Sequence, residues 1–256
     1  AVLWMIFGSV CFGTMNALVK YTTEFVDVWM IILVRSAVIA FAVAAFAASR
    51  GISLRVNDPR TMFLRCTVGL IAMVMYFTAL GRIPVGQAVT LQYTAPLFVA
   101  LLSGKVLAER VSPGVAVLVI TAFAGIVLIV SPDLGSVEPD ALLALGSGLF
   151  AALAYMFVRE LRKTDSAASV VFWFAVASVA GSVVQAAPDL FSLDRQTLAA
   201  LVGIGIGAGG GQVGITLGYQ KAKAAYVGAF SYLTVIVATA GAFFVFGETL
   251  STADWI

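Results

Sequence analysis

The sequence predicts an all-α integral membrane protein built as two inverted five-helix repeats, and three observations lead to this fold class. Apolar residues make up 61% of the 256 positions and charged residues only 11%, far below the quarter or so that is usual in a soluble domain. Apolar runs of about 20 residues, the length that crosses the hydrocarbon core as a helix, recur along the chain. Finally, polar residues 139 positions apart relate the two halves.

The apolar runs define nine spans. In chain order they cover residues 1–19, 28–49, 62–80, 84–103, 113–131, 140–158, 167–187, 197–218 and 225–246. Polar segments rich in charge, Gly and Pro separate them, as expected where helices end; these cover residues 21–27, 50–60, 81–84, 109–113, 132–140, 159–166, 188–196 and 219–223. Because the connecting segments are short, we expect no sizeable soluble domain.

Basic residues are distributed unequally between the two sides of the predicted bundle. One side carries Arg50, Arg55, Arg60, Arg65, Lys105, Arg110, Arg159, Arg162, Lys163, Lys221 and Lys223. The other side carries Lys20, Arg82 and Arg195, while Arg35 falls within a span. Cytoplasmic loops carry the excess of Lys and Arg, so a multi-pass protein of the inner membrane with a cytoplasmic N-terminus is expected.

The internal repeat is visible in side chains that keep one spacing without a gap. Tyr93 matches Tyr232 and Glu109 matches Glu248, each 139 positions later, and the same offset places Lys20 on Arg159. Weak internal symmetry of this kind is typical of transporters. The repeats then cover residues 1–131 and 140–256, and an odd number of spans inverts the second half. Extending the match beyond Ile256 predicts a tenth span in the full protein.

The end of the fourth span carries a further pattern, which reads Ala88, Leu91, Tyr93, Pro96, Ala100, Gly104, Leu107 and Glu109. The second copy keeps Tyr232 and Glu248 but has Val235 and Phe243 where the first has Pro96 and Gly104. Together with the two repeats, this signature resembles the drug/metabolite transporter superfamily of EamA type over almost the whole chain. The resemblance implies a ten-helix carrier with a central cavity lined by the first, third, fourth, sixth, eighth and ninth helices.

Polar side chains within the spans are candidates for substrate binding, because burying them in lipid is unfavourable unless they face protein or water. The fourth span supplies Thr90, Gln92 and Tyr93, and the repeat suggests that Tyr232 faces Tyr93 to form a clamp. Core or interfacial packing is the alternative role of these tyrosines. The other candidates are Gln212, Tyr76, Asn16, Tyr155, Trp4 and Ser231, of which Trp4 and Asn16 also fit positions near the membrane surface.

Three residues are candidates for gating. Pro96 lacks an amide proton and should leave the carbonyl of Gln92 free, which either kinks the helix for packing or serves the substrate. Gly207 and Gly211 belong to a small-residue stripe in the eighth span, which permits close helix packing or a sliding surface.

Arg35 is a basic residue within the second predicted span. It could meet a substrate carboxylate, but pairing with helix-end carbonyls or snorkelling is favoured over that role.

No carboxylate falls near the middle of a predicted span. We therefore expect a cavity without fixed charge, suited to amino acids and related zwitterions, and movement by uniport, exchange or export with alternating access. The alternatives are a drug or organic-cation exporter, another metabolite exporter, or a channel, which would give no trans-stimulation.

An enzyme is disfavoured because the sequence has no His, no buried carboxylate pair and no Gly-x-Ser-x-Gly motif. Cys11 and Cys66 have no metal-ligand spacing, so we expect no metal and no cofactor. The expected partners are a small-molecule substrate and the lipid bilayer. A net charge of +2 argues against nucleic acid. A monomer is compatible with the sequence, which does not determine the oligomeric state.

Overall fold

A computed structural model describes residues 1–106, 114, 121, 138–189, 193–223 and 229–246. Within these residues all regular structure is helical. The first five helices are α1 (Val2–Thr22), α2 (Val28–Arg50), α3 (Pro59–Arg82), α4 (Val85–Gln92) and α5 (Ala95–Val106). After the gap follow α6 (Pro139–Leu161), α7 (Ala167–Ala186), α8 (Arg195–Lys221) and α9 (Leu233–Phe246), with short 3₁₀ turns at Ala187–Asp189 and Ala229–Tyr232.

Helix starts follow from side-chain caps in the sequence. Asp27, Asp58, Ser166 and Asp194 precede α2, α3, α7 and α8, and each side chain accepts a backbone N–H of the first turn. Pro59 occupies the first turn of α3, where the missing amide proton is harmless. At the other end of α2, Gly51 adopts a left-handed φ of 62° that closes the helix.

Seven helical segments of the described residues are long and apolar enough to cross a membrane. Large apolar side chains point outward from them, as a lipid-facing surface requires; examples are Leu3, Phe41, Phe63, Val184, Ile236 and Phe244. The chain is therefore an integral membrane protein of α-helices. The predicted fifth span (113–131) lies outside the described residues except for positions 114 and 121, and so do Glu109, Glu248 and the start of the predicted tenth span.

The predicted fourth span is interrupted, because α4 ends at Gln92 and α5 begins at Ala95. Thr94 fills the break: its Oγ1 donates to the carbonyl of Leu91 at 2.7 Å. Pro96 is the second residue of α5, in its first turn, where no amide proton is needed. Where the sequence suggested a kink at Pro96 within one span, the structure has a break between two helices at Tyr93 and Thr94.

The helices pack in a regular order around the centre of the bundle. The most extensive contacts are made by α1 with α8, α3 with α6, and α2 with α7. The glycines of α8 divide between two neighbours: Gly207 and Gly211 approach Cys11, Phe12 and Met15 of α1. Gly205 and Gly209 approach Val38 and Ile39 of α2.

Loop contacts tie the bundle together at both ends. At one end the buried Asp165 carboxylate accepts the backbone N–H of Asn57 at 2.8 Å and of Asp58 at 3.3 Å. At the other end Lys20 Nζ donates to the carbonyl of Ile83 at 3.0 Å, and Arg82 pairs with Asp140 at 3.1 Å. The loops that these contacts join are the ones that the sequence places on the same side of the membrane.

Candidate functional site

A small cavity with polar, aromatic and aliphatic side chains in its lining lies between the helices at the centre of the bundle. Its volume is about 80 Å³, which accommodates a few water molecules. Sites for drug-sized ligands usually measure about 300–1,000 Å³. The cavity in this conformation is therefore smaller than a metabolite site.

Six of the ten predicted binding residues line this cavity: Asn16, Tyr76, Gln92, Tyr93, Tyr155 and Gln212. They come from α1, α3, α4, α6 and α8. Both polar atoms of the buried Asn16 side chain and the hydroxyl of Tyr76 lack a hydrogen-bond partner. Tyr155 stacks on Tyr219 of α8 with a centroid separation of 4.8 Å, and this contact fixes the ring at the edge of the cavity.

The other four predicted binding residues lie outside this lining. Thr90 is half-buried on α4, and Ser231 is buried in the turn before α9. Tyr232 is 38% exposed and is not among the lining residues, so the predicted tyrosine clamp stays a prediction. Trp4 lines a separate apolar cavity of about 720 Å³ at the side of the bundle, between α1, α2, α7 and α8.

The predicted gating residues border the cavity walls. Pro96 follows the break in the fourth span, next to Gln92 and Tyr93. Gly207 and Gly211 face α1, and a Cβ at Gly211 would lie 2.7 Å from ring carbons of Phe12, which lines the cavity. The glycine stripe therefore gives close helix packing here. A gating role for these three residues stays a prediction.

Arg35 lines the cavity, and the predicted snorkelling or pairing with helix-end carbonyls is wrong. Its side chain is only 2% exposed. The guanidinium contacts Met73 Sδ through Nη1 and lies 5.7 Å from the centroid of the Phe77 ring. Nε has no hydrogen-bond partner. Helix α2 thus contributes to the lining, which the resemblance did not imply.

Arg65 is the second buried cation of the cavity. The sequence predicts it among the loop charges, because it lies near the start of the predicted third span (62–80). It is 3% exposed, and Nη2 donates to Gln212 Oε1 at 3.4 Å. The guanidinium carbon lies 4.1 Å from the Phe174 ring centroid, a cation–π contact that brings α7 into the lining. Nε and Nη1 have no hydrogen-bond partner.

A capping signal could have placed Arg65 correctly. Asp58 followed by Pro59 is a typical helix start, and α3 begins at Pro59, so Arg65 lies six residues inside the helix. At 1.5 Å per residue this is about 9 Å from the helix end. The predicted span begins only at residue 62, so it places Arg65 closer to the helix end than the structure does.

The expectation of a cavity without fixed charge is also wrong. Arg35 and Arg65 carry permanent positive charge, and no Asp or Glu is among the cavity-lining residues of the described chain. The described carboxylates lie in loops or at helix ends, as predicted. The two ion pairs within the described ranges, Arg82–Asp140 and Lys163–Glu160, are near the bundle ends and leave both cavity arginines uncompensated.

Lipid-facing helices around a central cavity define a multi-pass membrane protein. The EamA-like transporter family matches residues 1–131 and 139–256, and the chain belongs to this family. It is thus a transporter of the drug/metabolite transporter superfamily, which confirms the resemblance seen in the sequence.

Several curated relatives align with most of this chain. The pseudopaline exporter of Pseudomonas aeruginosa (strain UCBPP-PA14) is 28% identical over 92% of this chain and 84% of its own length. The riboflavin transporter of Vibrio cholerae is 26% identical over 99% and 87%. The S-adenosylmethionine uptake transporter of Rickettsia bellii is 24% identical over 77% and 67%. Because these names cover different solutes and both directions, they indicate metabolite transport without identifying the solute.

A solved crystal structure shares the fold. Its TM-score to this chain is 0.73, with 22% sequence identity, and the match covers 98% of this chain and 90% of the other. At this identity the likeness concerns the fold alone.

Proposed function

We propose that the protein is a secondary transporter that moves a small polar metabolite through the central cavity by alternating access. Amino acids and related zwitterions are the first candidates. The observation that carries this proposal is the central cavity, which gathers unpaired polar groups from α1, α2 and α3 yet holds only about 80 Å³. A metabolite can enter only if the surrounding helices separate, and separation on alternate sides would carry it across.

An inverted repeat would supply that movement, and the packing supports one. If residue i corresponds to i + 139, then α1 corresponds to α6 and α3 to α8. The contact of α1 with α8 then has its counterpart in the contact of α6 with α3, and both are extensive. Repeats of this type commonly rock against each other around a fixed site.

Polar ties at the helix ends repeat in the same way. Lys20 at the end of α1 donates to the carbonyl of Ile83 after α3, at 3.0 Å. Arg159, its counterpart at the end of α6, donates to the carbonyls of Tyr219 and Gln220 at the end of α8, at 3.3 and 3.4 Å. The separate family matches to 1–131 and 139–256 agree with this division.

The interruption of the fourth span would serve as a hinge. Helix α4 ends at Gln92 and α5 begins at Ala95. In the second half a turn, Ala229–Tyr232, precedes α9, and its last residue corresponds to Tyr93. Backbone breaks beside a cavity are common at substrate sites of transporters. The basic loops around residues 50–60 and 159–163 support a cytoplasmic position for that end of the bundle and for the N-terminus, in the inner membrane.

The alternatives make different predictions. An organic-cation exporter is disfavoured because two buried guanidiniums would repel its substrate. A channel would need a continuous pore, whereas this cavity holds only about 80 Å³. An exporter of another class of metabolite remains compatible with the site.

Counterflow tests the proposal directly. Proteoliposomes holding the full-length protein are preloaded with unlabelled solute, and uptake of each of a panel of labelled amino acids is measured with and without a pH gradient. Saturable counterflow is expected for at least one compound, and a strict need for the gradient would contradict uniport or exchange. Absence of counterflow for every amino acid would reject this substrate class.

Site variants then connect transport to the cavity. Gln212→Ala should reduce transport without loss of folded protein, because Gln212 lines the cavity. Gln185→Ala is the matched control, since Gln185 is exposed on α7 and far from the lining residues in sequence. Equal transport by both variants would remove the cavity from the mechanism.

A further inference from the structure

The central cavity contains two positive charges that nothing in the described chain neutralises. Arg35 and Arg65 are 2% and 3% exposed, and both line it. Their recorded contacts are a thioether, an amide oxygen and two aromatic rings. None of these groups carries a negative charge, although buried charges are normally paired or coordinate metals.

The unused donors show where a partner would bind. Nε and Nη1 of Arg65 and Nε of Arg35 are buried without an acceptor. A guanidinium presents its N–H groups in a planar fork that matches the two oxygens of a carboxylate or phosphate. The Asn16 amide and the Tyr76 hydroxyl, which line the same cavity, are also without hydrogen-bond partners.

A purely structural role explains these features less well. Cation–π contact with Phe174 holds the Arg65 side chain in place, but its charge remains. An apolar residue of similar size would pack there without loss of hydration, since burying an ion without a counter-charge is strongly unfavourable. An intramembrane ionisable residue that faces a cavity is therefore a candidate ligand contact.

We propose that the cavity binds the anionic oxygen group of the transported metabolite, a carboxylate or a phosphate, through Arg65 and Arg35. Gln212 orients Arg65 through the hydrogen bond at 3.4 Å. This inference rests on the proposed transport function and specifies the charge that the substrate brings to the site. Cations and compounds without an anionic group are then poor ligands.

The test compares matched acids and neutral analogues on the full-length protein in detergent, at constant ionic strength. Succinate against succinamide probes a carboxylate, and glycerol 3-phosphate against glycerol probes a phosphate. Binding is read from the shift in thermal unfolding over a concentration series, because a ligand that binds only the native state raises the midpoint. At least one acid should raise the midpoint in a saturable manner, and its neutral analogue should not.

Variants assign the effect to the cavity. Arg65→Gln and Arg35→Gln should weaken the apparent affinity for the acid by about tenfold or more, because each removes charged hydrogen bonds. Arg162→Gln is the matched control, since Arg162 is exposed after α6 and outside the cavity. Arg65→Lys keeps the charge and should retain part of the affinity. The control also corrects for general stabilisation of folded proteins by salts.

Three results would overturn the inference: equal stabilisation by acid and neutral analogue, equal responses of Arg65→Gln and Arg162→Gln, or no stabilisation by any acid. If the glutamine variants do not fold, the acid–neutral comparison on the wild type and on Arg65→Lys still decides. Arginine-dependent binding without transport in proteoliposomes would preserve the anion site and reject the transport proposal. Transport that does not depend on the charge of the substrate would reject the anion site and preserve the transport proposal.

Discussion

Helices α1 and α8 approach each other closely where Gly8 faces Gly214. A Cβ added to Gly214 would lie 2.5 Å from the carbonyl oxygen of Trp4 and 2.6 Å from Cα of Gly8. Non-bonded carbon atoms prefer about 3.5–4.0 Å, and both contacts are backbone atoms that cannot rotate away. Gly214→Ala therefore forces the helices apart by roughly 1 Å, and we expect overpacking to cost about 2–3 kcal/mol, toward the upper end of the usual range.

A second glycine on the same helix isolates the packing contribution. A Cβ at Gly203 would lie 3.4 Å from the tip of the Leu18 side chain, which is ordinary contact with a flexible group. Both Gly→Ala changes gain the same helix propensity of about 1 kcal/mol, so this term cancels in their difference. Gly203→Ala should be neutral or stabilising, and Gly214→Ala should be less stable than it by the full overpacking cost.

Equilibrium unfolding measures this difference. The two variants are titrated with denaturing detergent in mixed micelles, and unfolding is followed by tryptophan fluorescence and near-UV circular dichroism. Free energies of unfolding that agree within about 0.5 kcal/mol would refute the inferred backbone contact, because an overpacked core loses more than that.

Three further predictions address the cavity, the loop contacts and acid stability. Gly69→Ala should weaken acid binding in the thermal assay, because a Cβ there would lie within 2.2 Å of Arg65 Nη1 and must displace it. Asp165→Ala should lower the free energy of unfolding by about 1–3 kcal/mol, since it removes the charged acceptor of two backbone N–H groups in the α2–α3 loop. Asp140→Ala, which removes an exposed ion pair, should lower it by less than about 1 kcal/mol. Hydrogen bonds from Thr61 lower the pKa of Asp58 in the folded protein. The contribution of Asp58 to stability is therefore present above the ordinary Asp pKa of about 3.9 and is lost as the pH falls through the lower folded value. Asp58→Asn keeps the helix cap without titrating, so its free energy of unfolding should fall less on acidification than that of the wild type.

The sequence predicts the helices well because the signals for their ends are local. Asp27 and Asp194 cap α2 and α8 near the predicted starts, and Pro96 marks the interruption of the fourth span. Gly-rich α8 packs closely on its neighbours, as the stripe of glycines indicates. Each of these features depends on residues a few positions apart, and such chemistry is readable from one chain.

Side-chain placement is less predictable because these helices are apolar around most of their circumference. An amphipathic helix shows its buried face by periodicity, but a helix that contacts both lipid and protein does not. Tyr232 shows the difficulty. The repeat predicts a position opposite Tyr93, yet Tyr232 ends the turn before α9 and is 38% exposed. Arg65 shows a second difficulty. The positive-inside rule counts every basic residue near a span end as a loop residue, whichever face of the helix it occupies.

The two cavity arginines bear on how an anion carrier of this design would cycle. Both charges are buried without a counter-charge among the described cavity-lining residues, which is unfavourable. A carboxylate or phosphate that binds beside the arginines once the helices have separated would neutralise part of that charge and stabilise the loaded carrier. The conformational change is then easier for the loaded carrier than for the unloaded one. Because net uniport requires the empty carrier to return and exchange does not, the charge of the cavity favours exchange, and counterflow should exceed net uptake in the proteoliposome assay.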